Sequence, residues 1–175
     1  GFVGGGYVSD HYGFSQGFSM FDERRKNDIE GVYKTMTDWI FSHREDKFFL
    51  FFHTYEVHDY MDKEHQIFDQ GAMYSNWPEK IKSYYDGRIK LVDDYMGLLI
   101  GFLRKNNLEK KTLIIITSDH GEAFYERGRR GHGFDLYDEL IKVPLIFQLP
   151  GKLPAKKIVN HQVPSVDIFP TILGL

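Results

Sequence analysis

The chain has 175 residues, 42% hydrophobic and 27% charged, the length and mix of one globular domain able to bury a core. Its 22 basic and 25 acidic residues leave a net charge of -3 with no basic stripe, which argues against a nucleic acid partner. Cysteine is absent, so disulfides and thiolate-bound zinc or iron are excluded among these residues, and no apolar run approaches the roughly 20 residues of a membrane-spanning helix.

Residues 1–27 are rich in glycine and aromatic residues without a period, which predicts loops around one short strand near Gly1 to Val3. This opening has neither the charged nor the apolar region of a signal peptide and reads as the middle of a protein. From Asp28, a good N-cap, Ile29, Val32, Tyr33, Met36 and Ile40 recur at helical spacing and predict a helix to about His43. Phe48 to Phe52 is apolar without alternation, as expected of a strand covered on both faces, and it ends at His53. After Trp77-Pro78, residues such as Ile81, Tyr84, Arg88, Val92, Leu99 and Leu103 line one side of a long helix to about Lys105.

A strand follows over Leu113 to Thr117, then one or two helical turns in "DLYDELI" and a strand over Val143 to Leu149 stopped by Pro150-Gly151. A shorter strand is expected within Ile158 to Val163. "SVDIFPTILGL" predicts a final short helix capped by Ser165, with Pro170 in its first turns. Helices alternating with apolar strands argue for a three-layer α/β/α sandwich with a largely parallel central sheet, a single domain over 1–175.

In open α/β sheets ligands bind off the carboxyl ends of strands, where three polar clusters fall: His53 to His58, Ser118 to Glu122, and the loop carrying His132. Asp119 and His120 converge as the chain turns at Gly121. A carboxylate and an imidazole are standard ligands of a divalent cation, although the same pair also serves as a turn cap and a loop hydrogen bond. His132 stands between two glycines, open to an anionic oxygen or to proton transfer, or simply to solvent. His58 carries the same two readings, with Asp59 beside it to set its tautomer or merely exposed. Arg127, Arg129 and Arg130 are a cationic cluster that either meets an anionic substrate or is a solvated loop.

Taken in order, "FFLFFHTYEVHDY", "LEKKTLIIITSDHGE", "GHGFDLYDELIKVPLIF" and "VNHQVPSVDIFPTILGL" resemble four segments of the sulfatase family, in the alkaline-phosphatase-like superfamily. The first is similar to a strand followed by "H-x-x-D-P-H-x-P-Y", the second to an apolar strand closing on "TSDHGE". The third is similar to "GHG-x-x-LY-(D/E)-E-x-x-(R/K)-VPLI" and the fourth to "V-S-x-V-D-(apolar)-x-PT-(apolar)-L". The resemblance implies an alkaline-phosphatase-like fold and metal-dependent hydrolysis of a sulfate ester, of a small molecule or a glycan. It implies Asp119 and His120 as ligands of a divalent cation, calcium first, with manganese, magnesium and zinc as alternatives. It also implies His132 on the sulfate group and His58 on the leaving-group oxygen, with His53 a less definite member.

Departures from the family pattern matter too. Glu56 to Tyr60 lacks the two prolines, and the opening lacks the "GKWH" lysine and histidine, so no site residue is assigned before His58. The acidic metal-ligand pair and the "C/S-x-P-x-R" segment, whose Cys or Ser becomes the formylglycine nucleophile, are not among these residues. The chain therefore resembles the C-terminal part of the catalytic domain, incomplete at its N-terminal side and expected to be inactive alone. Two other readings stay open. One is a phosphoryl-group hydrolase or transferase of the same superfamily, such as a phosphodiesterase, phosphonate hydrolase or phosphoethanolamine transferase; the other is a non-catalytic α/β interaction module. The loop from Met61 to Trp77 carries no recognition motif that identifies the ester, and localisation and oligomeric state have no signal in the chain.

Overall fold

In the computed structural model, which describes residues 1–23, 28–61 and 77–175, helix α1 spans Ile29–Ser42 and starts where its sequence dictates. The Asp28 side chain accepts from the Gly31 N–H at 3.1 Å, satisfying one of the free donors at the helix start. Val32, Met36 and Ile40 form its buried stripe and pack with Phe2, Leu103 and Leu108 in the main core. Leu103 lies on helix α2, Trp77–Lys105, which packs against α1. A left-handed Asn107 (φ 58°) and a bond from the Leu108 N–H to the Leu103 carbonyl at 2.8 Å end α2 and return the chain to the core. Among the described residues no helix is long and apolar enough to cross a membrane.

Strand β1, Phe2–Val3, is the centre of a parallel sheet, with β2, Asp22–Glu23, on one side and β3, Phe52–His53, on the other. Strand β1 is where the sequence places it, and β2 is an addition found inside the Gly-rich opening. The run Phe48 to Phe52 departs from expectation. Only Phe52 joins the ladder, and the run has one packed side rather than two. Phe48, Leu50 and Phe52 meet the core, while Phe49 is 70% exposed and touches the ring of Phe18.

The second sheet pairs β4, Ile114–Thr117, with β7, Leu145–Gln148, in antiparallel register, Thr117 opposite Leu145. A parallel return needs a long crossover, usually a helix, but the only helix between these strands is α3, Asp138–Ile141. The chain therefore doubles back, and the described residues form an α/β fold with a small parallel sheet and a separate antiparallel pair. They do not form a full three-layer sandwich on one parallel sheet. A third two-stranded ladder, β5, Ala123–Phe124, with β6, Arg130–Gly131, is a hairpin on the loop between β4 and α3.

Two expectations near the end are also corrected. No strand forms within Ile158 to Val163: Ile158 is 81% exposed, and no neighbouring strand takes up the backbone donors and acceptors there. Ser165 opens a short 3-10 turn, Ser165–Asp167, and makes no side-chain cap; helix α4, Ile168–Gly174, follows. Pro170 does sit in the first turn of α4, where its missing N–H costs no helical bond.

Candidate active site

After Thr117 the chain leaves the β4–β7 ladder in a tight turn. The Ser118 hydroxyl donates to the His120 carbonyl at 2.7 Å, and the Gly121 N–H donates to the Leu140 carbonyl at 2.7 Å. A Cβ at Gly121 would collide with the carbonyl oxygen of Glu139, so glycine lets the turn sit directly on α3. His120 Nδ1 lies 2.8 Å from the Gly121 carbonyl. A carbonyl only accepts, so the Nδ1 proton is held there and Nε2 keeps its lone pair. That Nε2 is 3.7 Å from Oδ2 of an exposed Asp119. Two donors so placed suit neighbouring positions on one oxygen- and nitrogen-ligated divalent cation. Among the described residues no group of three or more His, Cys, Asp or Glu side chains is arranged to hold a metal.

The hairpin carries the second group. Its ladder sets Phe124 opposite Arg130 and Ala123 opposite Gly131, and Gly128 (φ 75°) closes its loop. Next along the ladder stand Glu122 and His132, with His132 Nδ1 2.8 Å from Glu122 Oε2. The His132 ring stacks on that of His120, centroids 4.0 Å apart and planes 28° apart. On its other side it meets the ring of His58 edge to face at 5.1 Å.

His58 comes from the turn after β3, where its N–H donates to the Tyr55 carbonyl at 3.1 Å. Its Nδ1 is 3.3 Å from Asp59 Oδ1 and its Nε2 3.2 Å from the Tyr55 hydroxyl. The Asp59 contact puts the proton on Nδ1, leaving Nε2 to accept from Tyr55. His53, in β3 opposite Val3, has a buried Nδ1 with no hydrogen-bond partner among the described residues. Burial pushes its pKa below the usual imidazole value, while the Asp119 carboxylate pulls the other way.

The structure thus brings Asp119, His120, His132 and His58 into one continuous line, with His53 near its Asp119 end. The arginine cluster is less available to a ligand than its sequence suggests. Arg127 pairs with Glu139 at 3.1 Å and lies over the Tyr137 ring at 4.1 Å, and Arg129 pairs with Asp135 at 3.5 Å. Most of the loop between Met61 and Trp77 lies outside the described residues.

The sequence pattern of the family described as Sulfatase matches residues 2–175. The chain belongs to the sulfatase family. This sulfatase chain is 34% identical to arylsulfatase K of Mus musculus over 105 residues, 60% of the chain and 19% of that protein. It is 30% identical to the endo-4-O-sulfatase of Bacteroides thetaiotaomicron over 92 residues, 53% of the chain and 18% of that protein. It therefore spans about a fifth of the length of these curated relatives. Among solved structures, the crystal structure of Ps i-CgsB in complex with k-i-k-neocarrahexaose superposes with a TM-score of 0.62 at 21% identity. That match covers 90% of this chain and 36% of the other, and it is a likeness of fold.

Three polar residues of the sulfatase chain have no assignment from the sequence: Tyr55 on His58, Glu122 on His132, and Glu56, two residues before His58. Glu56 is buried, and its two oxygens take the Arg88 guanidinium at 2.8 Å and the Ile29 N–H at 3.1 Å. One signal for this pair is present in the sequence, since Arg88 falls on the apolar side of α2, where a charge requires a partner. For Glu122 the signal is hairpin register, which depends on locating the turn at Gly128 first.

Proposed function

We propose that the protein carrying this chain hydrolyses sulfate esters, of a glycan or a small molecule. Asp119 and His120 would hold a divalent cation, calcium by preference, while His132 grips a sulfuryl oxygen and His58 serves the leaving group. The observation that carries this reading is the line of three imidazoles, with centroid spacings of 5.1 Å and 4.0 Å, ending at Asp119 in a member of the sulfatase family. A sulfate ester is a compact anion whose bridging oxygen departs as an alkoxide. A line of this span can meet a sulfuryl oxygen and the bridging oxygen at once.

The residues divide the work by their hydrogen bonds. With Nδ1–H held by Asp59, His58 can donate from Nε2 only as the doubly protonated imidazolium, and in that form it passes the Nε2 proton to the bridging oxygen as the sulfur–oxygen bond breaks. With Nδ1 turned to Glu122, His132 presents Nε2 to the sulfuryl group. The cation would add positive charge beside those oxygens. Because the chain contains no cysteine and no "C/S-x-P-x-R" segment, the nucleophile, a formylglycine by family resemblance, is assigned to protein outside these residues. The chain alone is then inactive. The endo-4-O-sulfatase relative favours a glycan sulfate as the substrate.

The test is made on the whole protein that carries this chain. Asp119→Ala and His120→Ala are expected to lower bound calcium and aryl-sulfate turnover together. Full metal content in both variants would defeat the cation assignment, and turnover of a phosphodiester in place of aryl and glycan sulfates would defeat the sulfatase reading.

A further inference from the structure

The β5–β6 hairpin does more than support His132. Its register, Ala123 opposite Gly131, leaves Glu122 and His132 flanking the end of the ladder, where their side chains meet. Three observations separate this carboxylate from an ordinary surface charge. The Glu122 side chain is 6% exposed beside a His132 side chain that is 30% exposed, so the acid is the inner member and the imidazole the outer one. Each of its oxygens has its own partner: Oε2 is 2.8 Å from His132 Nδ1, and Oε1 accepts from the Tyr60 hydroxyl at 3.1 Å. Tyr60 is itself buried against Ile81 and Tyr84 of α2, so the last link of this chain is anchored in a core cluster.

We propose that Glu122 is the positioning residue of His132, holding Nδ1–H and the ring angle so that Nε2 faces the substrate and, when the ring carries both protons, donates to a sulfuryl oxygen, with Tyr60 fixing the carboxylate. A histidine ring on a glycine-flanked loop has little else to restrain it, because Gly131 (φ 95°) and Gly133 (φ 91°) contribute no side chains. The stack on His120 restrains the ring plane but not which nitrogen bears the proton. A carboxylate at Nδ1 does, since it only accepts. This inference rests on the reading of His132 as the group that grips the sulfuryl oxygen, and it extends that reading to a residue outside the imidazole line.

The deciding measurement is the tautomer of His132, read from long-range proton–nitrogen NMR spectra of the whole protein that carries this chain, with labelled histidine, above the histidine titration range. The expected result is a proton on Nδ1. Glu122→Ala should move it to Nε2, whereas Glu122→Gln, whose amide oxygen still accepts, should keep it on Nδ1. A His132 with its proton on Nε2 in the unsubstituted chain, or a tautomer indifferent to Glu122→Ala, would overturn the proposal. If Glu122→Ala does not fold, Tyr60→Phe takes its place and should weaken the Nδ1–H preference. In the whole protein, Glu122→Ala is expected to lower kcat for an aryl sulfate about 10- to 100-fold with KM nearly unchanged, and Glu122→Gln to restore part of it. The tautomer result stands whatever ester the protein turns over, so failure of the sulfatase reading and failure of the positioning role give different results.

Discussion

The Gly121 N–H donates to the Leu140 carbonyl at 2.7 Å, and the neighbouring Glu139 carbonyl oxygen fills the space a side chain on Gly121 would need. This contact joins the Asp119–His120 turn to α3, two segments far apart in the chain, with backbone on both sides. Neither side can yield by changing rotamer.

Gly121→Ala must therefore push the turn off α3. An overpacked site of this kind costs about 1–3 kcal/mol. Urea unfolding should show that loss, and the displaced turn should bind calcium more weakly than the unsubstituted protein. A variant with unchanged unfolding midpoint and unchanged metal binding would mean that the close approach is not needed.

Arg88 and Glu56 pose a second test, because both side chains are almost fully buried, at 1% and 2% exposure. Among the described residues two guanidinium nitrogens of Arg88 have no hydrogen-bond partner, and the pair is joined by a bond at 2.8 Å plus the cap on Ile29. Removing one member leaves an uncompensated buried charge. Arg88→Met is expected to cost about 3–5 kcal/mol in denaturant unfolding. The double variant Glu56→Leu/Arg88→Met should lose less than the single one, since it leaves no unpaired charge behind. A single-variant loss under about 1 kcal/mol would contradict the burial of the pair.

Tyr60 gives the pH dependence. Burial first, and then the Glu122 carboxylate and the hydrogen bond to it, raise the pKa of its phenol far above the usual value; burial raises that of Tyr85 as well. The folded state keeps a proton that the unfolded chain releases near pH ~10, so the unfolded state binds fewer protons in that range. Stability is then fully present below pH ~10 and falls as pH rises above it. Unfolding midpoints at about pH 9 and about pH 11 should show the decline, and Tyr60→Phe should flatten it. An identical decline in that variant would assign the effect to other tyrosines.

Much of the candidate site was legible before the fold was known. Asp119, His120, His132 and His58 stand out because strand-end position, glycine flanks and donor type are written locally, and the structure does bring their side chains together. Glu122 was not legible. It follows the Asp-His-Gly turn in sequence, but its partner lies across a hairpin whose register is set by the turn at Gly128. Glu56 and Arg88 were only half legible. An arginine on an apolar helix face announces that a partner exists without saying which acid it is.

What the sequence determines by itself here is the part of the structure governed by neighbours along the chain. The apolar spacing of α1 and α2, the Asp28 cap, the placement of Pro170 in a first helical turn and the glycine at the Asp119–His120 turn all follow from helical period, capping and backbone sterics. Tertiary structure alone decided the antiparallel pairing of β4 with β7, the single packed side of Phe48 to Phe52 and the lack of a strand in residues 158–163. A strand exists only where another segment takes up its backbone hydrogen bonds, and a side chain is buried only where something covers it. Those conditions are set by contacts between segments distant in sequence, as is the meeting of Glu122 with His132 beside the line of imidazoles.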